Sequence, residues 1–304
     1  MTGVLTDLAL TALLLGLLPA AVWDVARREV PDACWQILGV FGAGLGVAIL
    51  YPSASPIGLV LWLLVAGLAV EHFFDWETPL RFRSVAAPPW IEAAAYGACV
   101  VAVAAGVVAY GVAPQGVPYA VVAALVVVVV ARGLYEIGVI SGGADARALM
   151  AMAIVVPIAP ITLFALPSAA RQFFDVVPFA LNALVNGLVL VALVVPTSIA
   201  IRNLVRREFT FPSGFVSYTI PTSELPSRHV WSQEPRSGGV FERGSAETAQ
   251  EDLEHRIEIA RDLIARGISR VRVSPQIPLV AFLAAGALLA WVGGNLVGTL
   301  FALL

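Results

Sequence analysis

Lysine is absent from this 304-residue chain, so all eighteen basic residues are arginine. Charge of either sign is scarce: 13% of residues are charged, and the net charge is −3. With so little positive charge and no basic tail, the chain lacks the electrostatic footprint of a nucleic-acid binder, and no nucleic-acid partner is expected. Cysteine is nearly missing as well. Cys34 and Cys99 stand apart, in or beside apolar runs, with no Cys-x-x-Cys pair. That spacing argues against a disulfide framework or a thiolate zinc site. Three histidines among scattered carboxylates do not form ligand spacing, so neither a metal nor another cofactor is expected. Hydrophobic side chains dominate instead, at 59% of residues with a mean hydropathy of +0.88. The composition is that of a polytopic membrane protein.

Eight apolar runs follow one another. The first, Val4 to Trp23, has no positive residue ahead of it and seven more runs behind it, so it reads as a spanning helix rather than a signal peptide. The others fall near 33–51, 57–74, 90–112, 117–135, 148–166, 176–201 and 277–304, each close to the ~20 residues that cross a hydrocarbon core. The expected fold is an all-α polytopic membrane protein of about eight transmembrane helices, with a small cytoplasmic α/β insert before the last one. Three parts are expected: a seven-helix membrane domain over 1–201, an insert over 202–276 and a final helix over 277–304.

Arginine placement orients the chain. Arg27 and Arg28 follow the first run, Arg81 and Arg83 lie between the third and fourth, and Arg132 and Arg147 flank the turn between the fifth and sixth. Arg171 alone lies in a connection of the opposite set. The positive-inside rule then puts both termini outside and the arginine-bearing segments in the cytoplasm of a multi-pass plasma-membrane protein.

Two carboxylates share that cytoplasmic level. Asp24 continues the first apolar helix, where an ionisable group is costly and is a functional candidate. Asp145 follows Ser141-Gly142-Gly143-Ala144 and lands in the first turn of a helix, where free N–H groups and the helix dipole favour a carboxylate. Read by itself, Asp145 is an ordinary N-terminal aspartate; the second carboxylate at the same depth changes its weight. Gly142 and Gly143 suit a tight turn there.

The pattern Asp24-x-x-x-Arg28-x-Val30-Pro31-Asp32, followed by Gly142-Gly143-Ala144-Asp145, resembles the GxGD aspartic peptidases, and most of all the archaeal preflagellin branch of the type IV prepilin peptidases. Val271 to Pro278 is similar to the segment that leads into their last helix. Two departures stand out: Ala144 occupies the second glycine of GxGD, and the paired Cys-x-x-Cys insert of the bacterial branch is missing. The resemblance implies an aspartic endopeptidase with Asp24 and Asp145 as its catalytic pair, supported by Arg28, Pro31, Gly142 and Gly143. It implies as partners archaellin- or pilin-like precursors, whose short basic leader is cut off at the cytoplasmic face, with membrane lipid around the helices. An ion-coupled transporter using intramembrane carboxylates and a non-catalytic membrane scaffold are the alternative functions.

The insert carries eleven arginines against ten acidic residues in 202–275. A charged helix is expected over about Ser245 to Arg266, with an apolar stripe of Leu253, Ile257, Ile259, Ala260, Leu263 and Ile264. Glu251, Asp252, Glu254 and Glu258 lie on or near its polar face, as contacts for a basic leader or as mere solvated surface. Gly267 supplies a stop, and Val271-Arg272-Val273-Ser274 reads as a strand. Glu71, His72, Asp75 and Glu77 read as solvated interfacial groups, His229 and His255 as exposed, and Asn182, Asn186 and Gly187 as helix-packing positions.

Overall fold

The computed structural model describes residues 2–74, 89–111, 117–137, 140, 143–157, 177–234 and 249–303. Among them the chain is mostly helical. The helices are α1 (Thr2–Arg27), α2 (Asp32–Leu50), α3 (Pro56–Phe74), α4 (Pro89–Tyr110), α5 (Val117–Glu136), α6 (Gly143–Val155), α7 (Phe179–Val205), α8 (Ala249–Ala265), α9 (Leu279–Gly293) and α10 (Leu296–Leu303). Five of these, α1, α2, α3, α5 and α7, are long and apolar enough to cross a membrane; shorter apolar stretches of α4 and α9 accompany them.

Two compact units divide the chain. One comprises residues 1–22, 30–188 and 279–304, and the other 23–29 and 189–278.

The first unit is arranged around α6. Every residue of that helix from Ala146 to Val155 is buried. Its sequence alternates small alanines with leucine, methionine and isoleucine, so no polar stripe is left to face water, and a helix apolar all round belongs inside a bundle. Helices α2, α3, α5 and α9 pack against it. The α2 surface is cut back to let them approach. A Cβ at Gly42 would sit 3.1 Å from the Val155 backbone nitrogen, so α2 and α6 touch almost backbone to backbone there. Polar groups on these faces reach across to carbonyls: Gln36 Nε2 donates to Phe73 O at 3.3 Å, and Trp62 Nε1 to Ala43 O at 3.3 Å.

Two expected spans differ from expectation for local reasons. The sixth run was expected to be helical over 148–166, but α6 begins at Gly143 and ends at Val155, because Pro157 cannot continue the ladder and disfavours helix at the residue before it. Residues 158–176 lie outside the described set. The last run was expected to be one helix over 277–304. It breaks between α9 and α10 at Gly294, whose φ is +71°, followed by Asn295. The exposed amides are taken up by side chains. Asn186 Nδ2 donates to Gly294 O at 2.9 Å and its Oδ1 accepts from Leu296 N at 2.9 Å, while Asn295 Nδ2 donates to Asn182 Oδ1 at 2.8 Å. Asn182, Asn186 and Gly187 are thus the packing positions the sequence suggested, and Asn295 completes their network.

The second unit contains a three-stranded antiparallel sheet in the order β1-β3-β2, from Tyr218–Pro221, Arg270–Pro275 and Val230–Ser232. Ile220, Leu225, Val230, Ala260, Leu263, Val271 and Val273 form its core. Helix α7 runs to Val205, past the composition change at Arg202. The expected strand and the stop at Gly267 are both present, the latter with φ +78°. The expected stripe of α8 is corrected. Leu253 and Ile264 are exposed, and the covered face runs through Arg256, Ala260 and Leu263, which recur at the helix period. His229 and His255 are half-buried rather than exposed.

Gly286 gives the first test of the bundle. A Cβ there would collide with the Ala183 carbonyl oxygen and lie 2.7 Å from the Gly187 nitrogen, so α9 and α7 meet through backbone atoms that cannot yield. Gly286→Ala should lower stability by roughly 1–3 kcal/mol, the usual cost of overpacking. Gly293→Ala, which has nothing within 4 Å of the new carbon, should be close to neutral. Thermal unfolding in detergent reads the difference; equal melting temperatures would mean the contact is absent.

Candidate functional site

Helix α1 carries Asp24 in its last turn. The helix closes with the Arg28 N–H donating to the Asp24 carbonyl at 3.1 Å, and Arg28 takes the left-handed conformation, φ 60°, that ends a helix. Asp24 is buried, at 8% exposure, at the end of the apolar stretch from Leu8 to Trp23. Pro31 then caps the start of α2 with an extended backbone, and Asp32 occupies the first turn, where a carboxylate complements the helix dipole.

Asp145 lies in the first turn of α6, as the sequence predicts, and is half-buried. Gly143 is the first residue of that helix, and Gly142 lies outside the described residues.

Two residues further on, Arg147 binds across three helices. It is buried, yet its guanidinium forms an ion pair with Asp32 and donates from Nε to the His72 carbonyl at 3.0 Å. This fork joins the start of α6 to the start of α2 and the end of α3. The Val-Pro-Asp and Gly-Gly-Ala-Asp motifs, over a hundred residues apart in sequence, are thereby tied together. A planar guanidinium suits the task because it presents several fixed donors at once.

His72 itself is fully buried, which corrects the expectation of a solvated interfacial group. Its Nε2 is 2.5 Å from the Tyr96 hydroxyl of α4, and Glu71 approaches Nδ1 at 3.9 Å. Asp75 and Glu77 lie outside the described residues. Among the described residues no group of three His, Cys, Asp or Glu side chains is placed to hold a metal ion.

The residues read from sequence are divided between the two units. Pro31, Gly143 and Asp145 belong to the first unit, Asp24 and Arg28 to the second. Glu254 and Glu258 are exposed on α8, while the side chains of Glu251 and Asp252, in its first turn, are outside the described set. The Arg147–Asp32 pair was not anticipated from the sequence. The signal was present: a full charge five residues into an apolar helix needs a fixed partner, and Asp32 stands in the other motif.

No protein-family model matches this chain, and comparison with curated proteins and with solved structures finds no match.

The Arg147–Asp32 pair should respond asymmetrically to mutation. Asp32→Ala removes one partner of a buried guanidinium, whereas Arg147→Met removes the charge and keeps much of the volume. Stranding a buried charge costs several kcal/mol, but Asp32 is 56% exposed and Arg147 keeps the His72 carbonyl, so roughly 1–3 kcal/mol is expected for Asp32→Ala. Arg147→Met should cost less. Melting temperatures of the two variants check this, and the reverse order would contradict a buried clamp.

Proposed function

We propose that the chain is a membrane aspartic endopeptidase that removes a short basic leader from archaellin- or pilin-like precursors at the cytoplasmic membrane face. The observation that carries the reading is the placement of the two aspartates at helix ends: Asp24 is buried in the last turn of α1, and Asp145 sits half-buried in the first turn of α6, which is buried from Ala146 on. The resemblance of their surrounding motifs to the GxGD peptidases supplies the reaction.

Hydrolysis of a peptide bond without a nucleophilic side chain needs an activated water and an acid for the carbonyl and the leaving amine. Two nearby carboxylates supply both by sharing one proton, since they resist ionising together. The ionised member takes a proton from water; the neutral member hydrogen-bonds the carbonyl oxygen. Neither role is assigned to one residue of the proposed pair. Arg147, fixed to Asp32 and the end of α3, would hold the α6 turn that bears Asp145 against movement as substrate enters.

The break between α9 and α10 gives the ion-coupled transporter reading its support, because interrupted helices with polar groups are common in transporters. Its weakness is that Asn182, Asn186 and Asn295 already use their amide oxygens or nitrogens on protein partners.

Asp24→Asn and Asp145→Asn should each lower precursor cleavage by about 10²–10⁴-fold while the protein stays folded in the membrane. Purified protein in detergent, without an ion gradient, is the assay. Near-normal turnover by either variant would overturn the pair, and absence of wild-type cleavage would favour the other functions.

Glu251, Asp252, Glu254 and Glu258 on α8 are proposed to hold the basic leader. Converting all four to amides should raise KM with little change in kcat. It should also flatten the dependence on salt, which screens exposed charges over about 8 Å at physiological ionic strength. An unchanged KM would leave this face as solvated surface.

A further inference from the structure

A second interaction surface begins where α7 ends. That helix is 27 residues long and a candidate span, and its apolar character stops at Arg202. One turn later the chain reverses. Glu208 N bonds to Asn203 O at 2.8 Å and Arg207 N to Leu204 O at 3.0 Å, with Arg207 left-handed at φ 58°. The following loop is then drawn back to the helix end. The buried amide of Asn203 donates to Gly214 O at 2.9 Å and to Ser217 O at 2.8 Å. Residues 211–216 are held by these bonds beside the last turns of α7, whatever the rest of the insert does.

The loop is apolar where it faces outward. Phe211 is 82% exposed, Val216 56% and Phe215 38%. The rings support one another edge to face, with centroids 5.2 Å apart for Phe209 and Phe215 and 6.3 Å for Phe211 and Phe215. Alongside them Arg206 and Arg207 are exposed, and neither forms an ion pair among the described residues. The one acidic residue of the segment, Glu208, is engaged by Arg270 at 2.5 Å. Aromatic rings beside unneutralised arginines, at the exit of an apolar span, match the chemistry of a bilayer surface: rings settle among the upper acyl chains and guanidinium groups meet phosphate.

We infer that residues 206–216 form an interfacial anchor that seats on anionic phospholipid at the end of α7. Ile201, Leu204 and Val205 in the last turns of α7 are exposed as well. The anchor fixes the depth at which the span leaves the membrane. It does not depend on the peptidase reading.

The test uses the full chain with Cys34 and Cys99 replaced by alanine, one new cysteine (Phe211→Cys, with Val216→Cys as a second position) and an environment-sensitive fluorophore. The protein is placed in phosphatidylcholine nanodiscs with or without phosphatidylglycerol, some lipids carrying a nitroxide near the headgroup end of the acyl chain. Glu254→Cys, exposed on α8, is the control. Lipid quenching at 211 and 216 should exceed that at 254 by about twofold or more, and should increase with phosphatidylglycerol. Arg206→Gln and Arg207→Gln should each lower the bound-to-free ratio of the loop about fivefold in the anionic bilayer and have little effect in the neutral one. Labels at 211 and 216 that are quenched by aqueous iodide as strongly as at 254, and not by the nitroxide lipid, would overturn the anchor. Equal lipid quenching in the two bilayers would overturn the anionic headgroup as its partner.

Discussion

A guanidinium buried among apolar helices must be neutralised by something fixed, and Arg147 is neutralised by Asp32. Much of the first unit follows from that need. The pair can form only if α6 starts next to the start of α2, and the Nε donor can be used only if α3 ends there as well. The close approach of α2 to α6 through Gly42 sets the distance between the same two helices further along. Charge pairing at one end and glycine packing along the helices thus specify one alignment. A shift by one residue would break the first and collide at the second. Specificity, rather than net stability, is the natural contribution of this pair, because Asp32 stays half exposed and withdrawing the guanidinium from water offsets much of the attraction.

The same constraint acts at the helix break near the C-terminus. Gly294 ends α9, and in an apolar setting the freed peptide groups have only side chains to bond to. Asn186 serves as donor to one side of the break and acceptor from the other. Asn295 bonds Asn182 and caps α10 through Gly298 N at 2.9 Å. The second unit answers an equivalent need with a sheet: β3 is paired on both edges, and Thr222 closes the adjoining turn by donating to Ile268 O at 2.7 Å.

How much of this the sequence revealed depended on the range of the interactions involved. The length and composition of the apolar runs were sufficient for α1, α2, α3, α5 and α7, because those helices follow from local hydrophobicity alone. The strand at Val271 and the stop at Gly267 were legible for the same reason. Reading hydropathy as a sum, however, smooths over single residues, so the stop imposed by Pro157 and the break at Gly294 passed unseen. The site divides similarly. Asp24 and Asp145 stand out as charges in apolar helices, and Asp145 falls in a first turn as expected. The Arg147 clamp and the His72–Tyr96 contact required knowing which helix ends meet. On α8, the sequence suggested a stripe of aliphatic residues, but Arg256 is buried while Leu253 and Ile264 are exposed, an exchange that a hydrophobicity scale does not foresee because a long charged side chain also has an apolar stem.

The brevity of α6 has a consequence of its own. Thirteen residues rise about 20 Å, while a bilayer core is about 30 Å thick, so this helix cannot reach both surfaces as its longer neighbours can. The bundle nevertheless buries it completely from Ala146 onward. A carboxylate at the first turn of such a helix depends on protein groups for its surroundings, and those groups are set by the arginine two residues away and the elements it grips. Any chemistry at Asp145, whether proton transfer to a substrate or to an ion pathway, would therefore be sensitive to changes at Asp32 and at the end of α3 that never touch the reacting atoms.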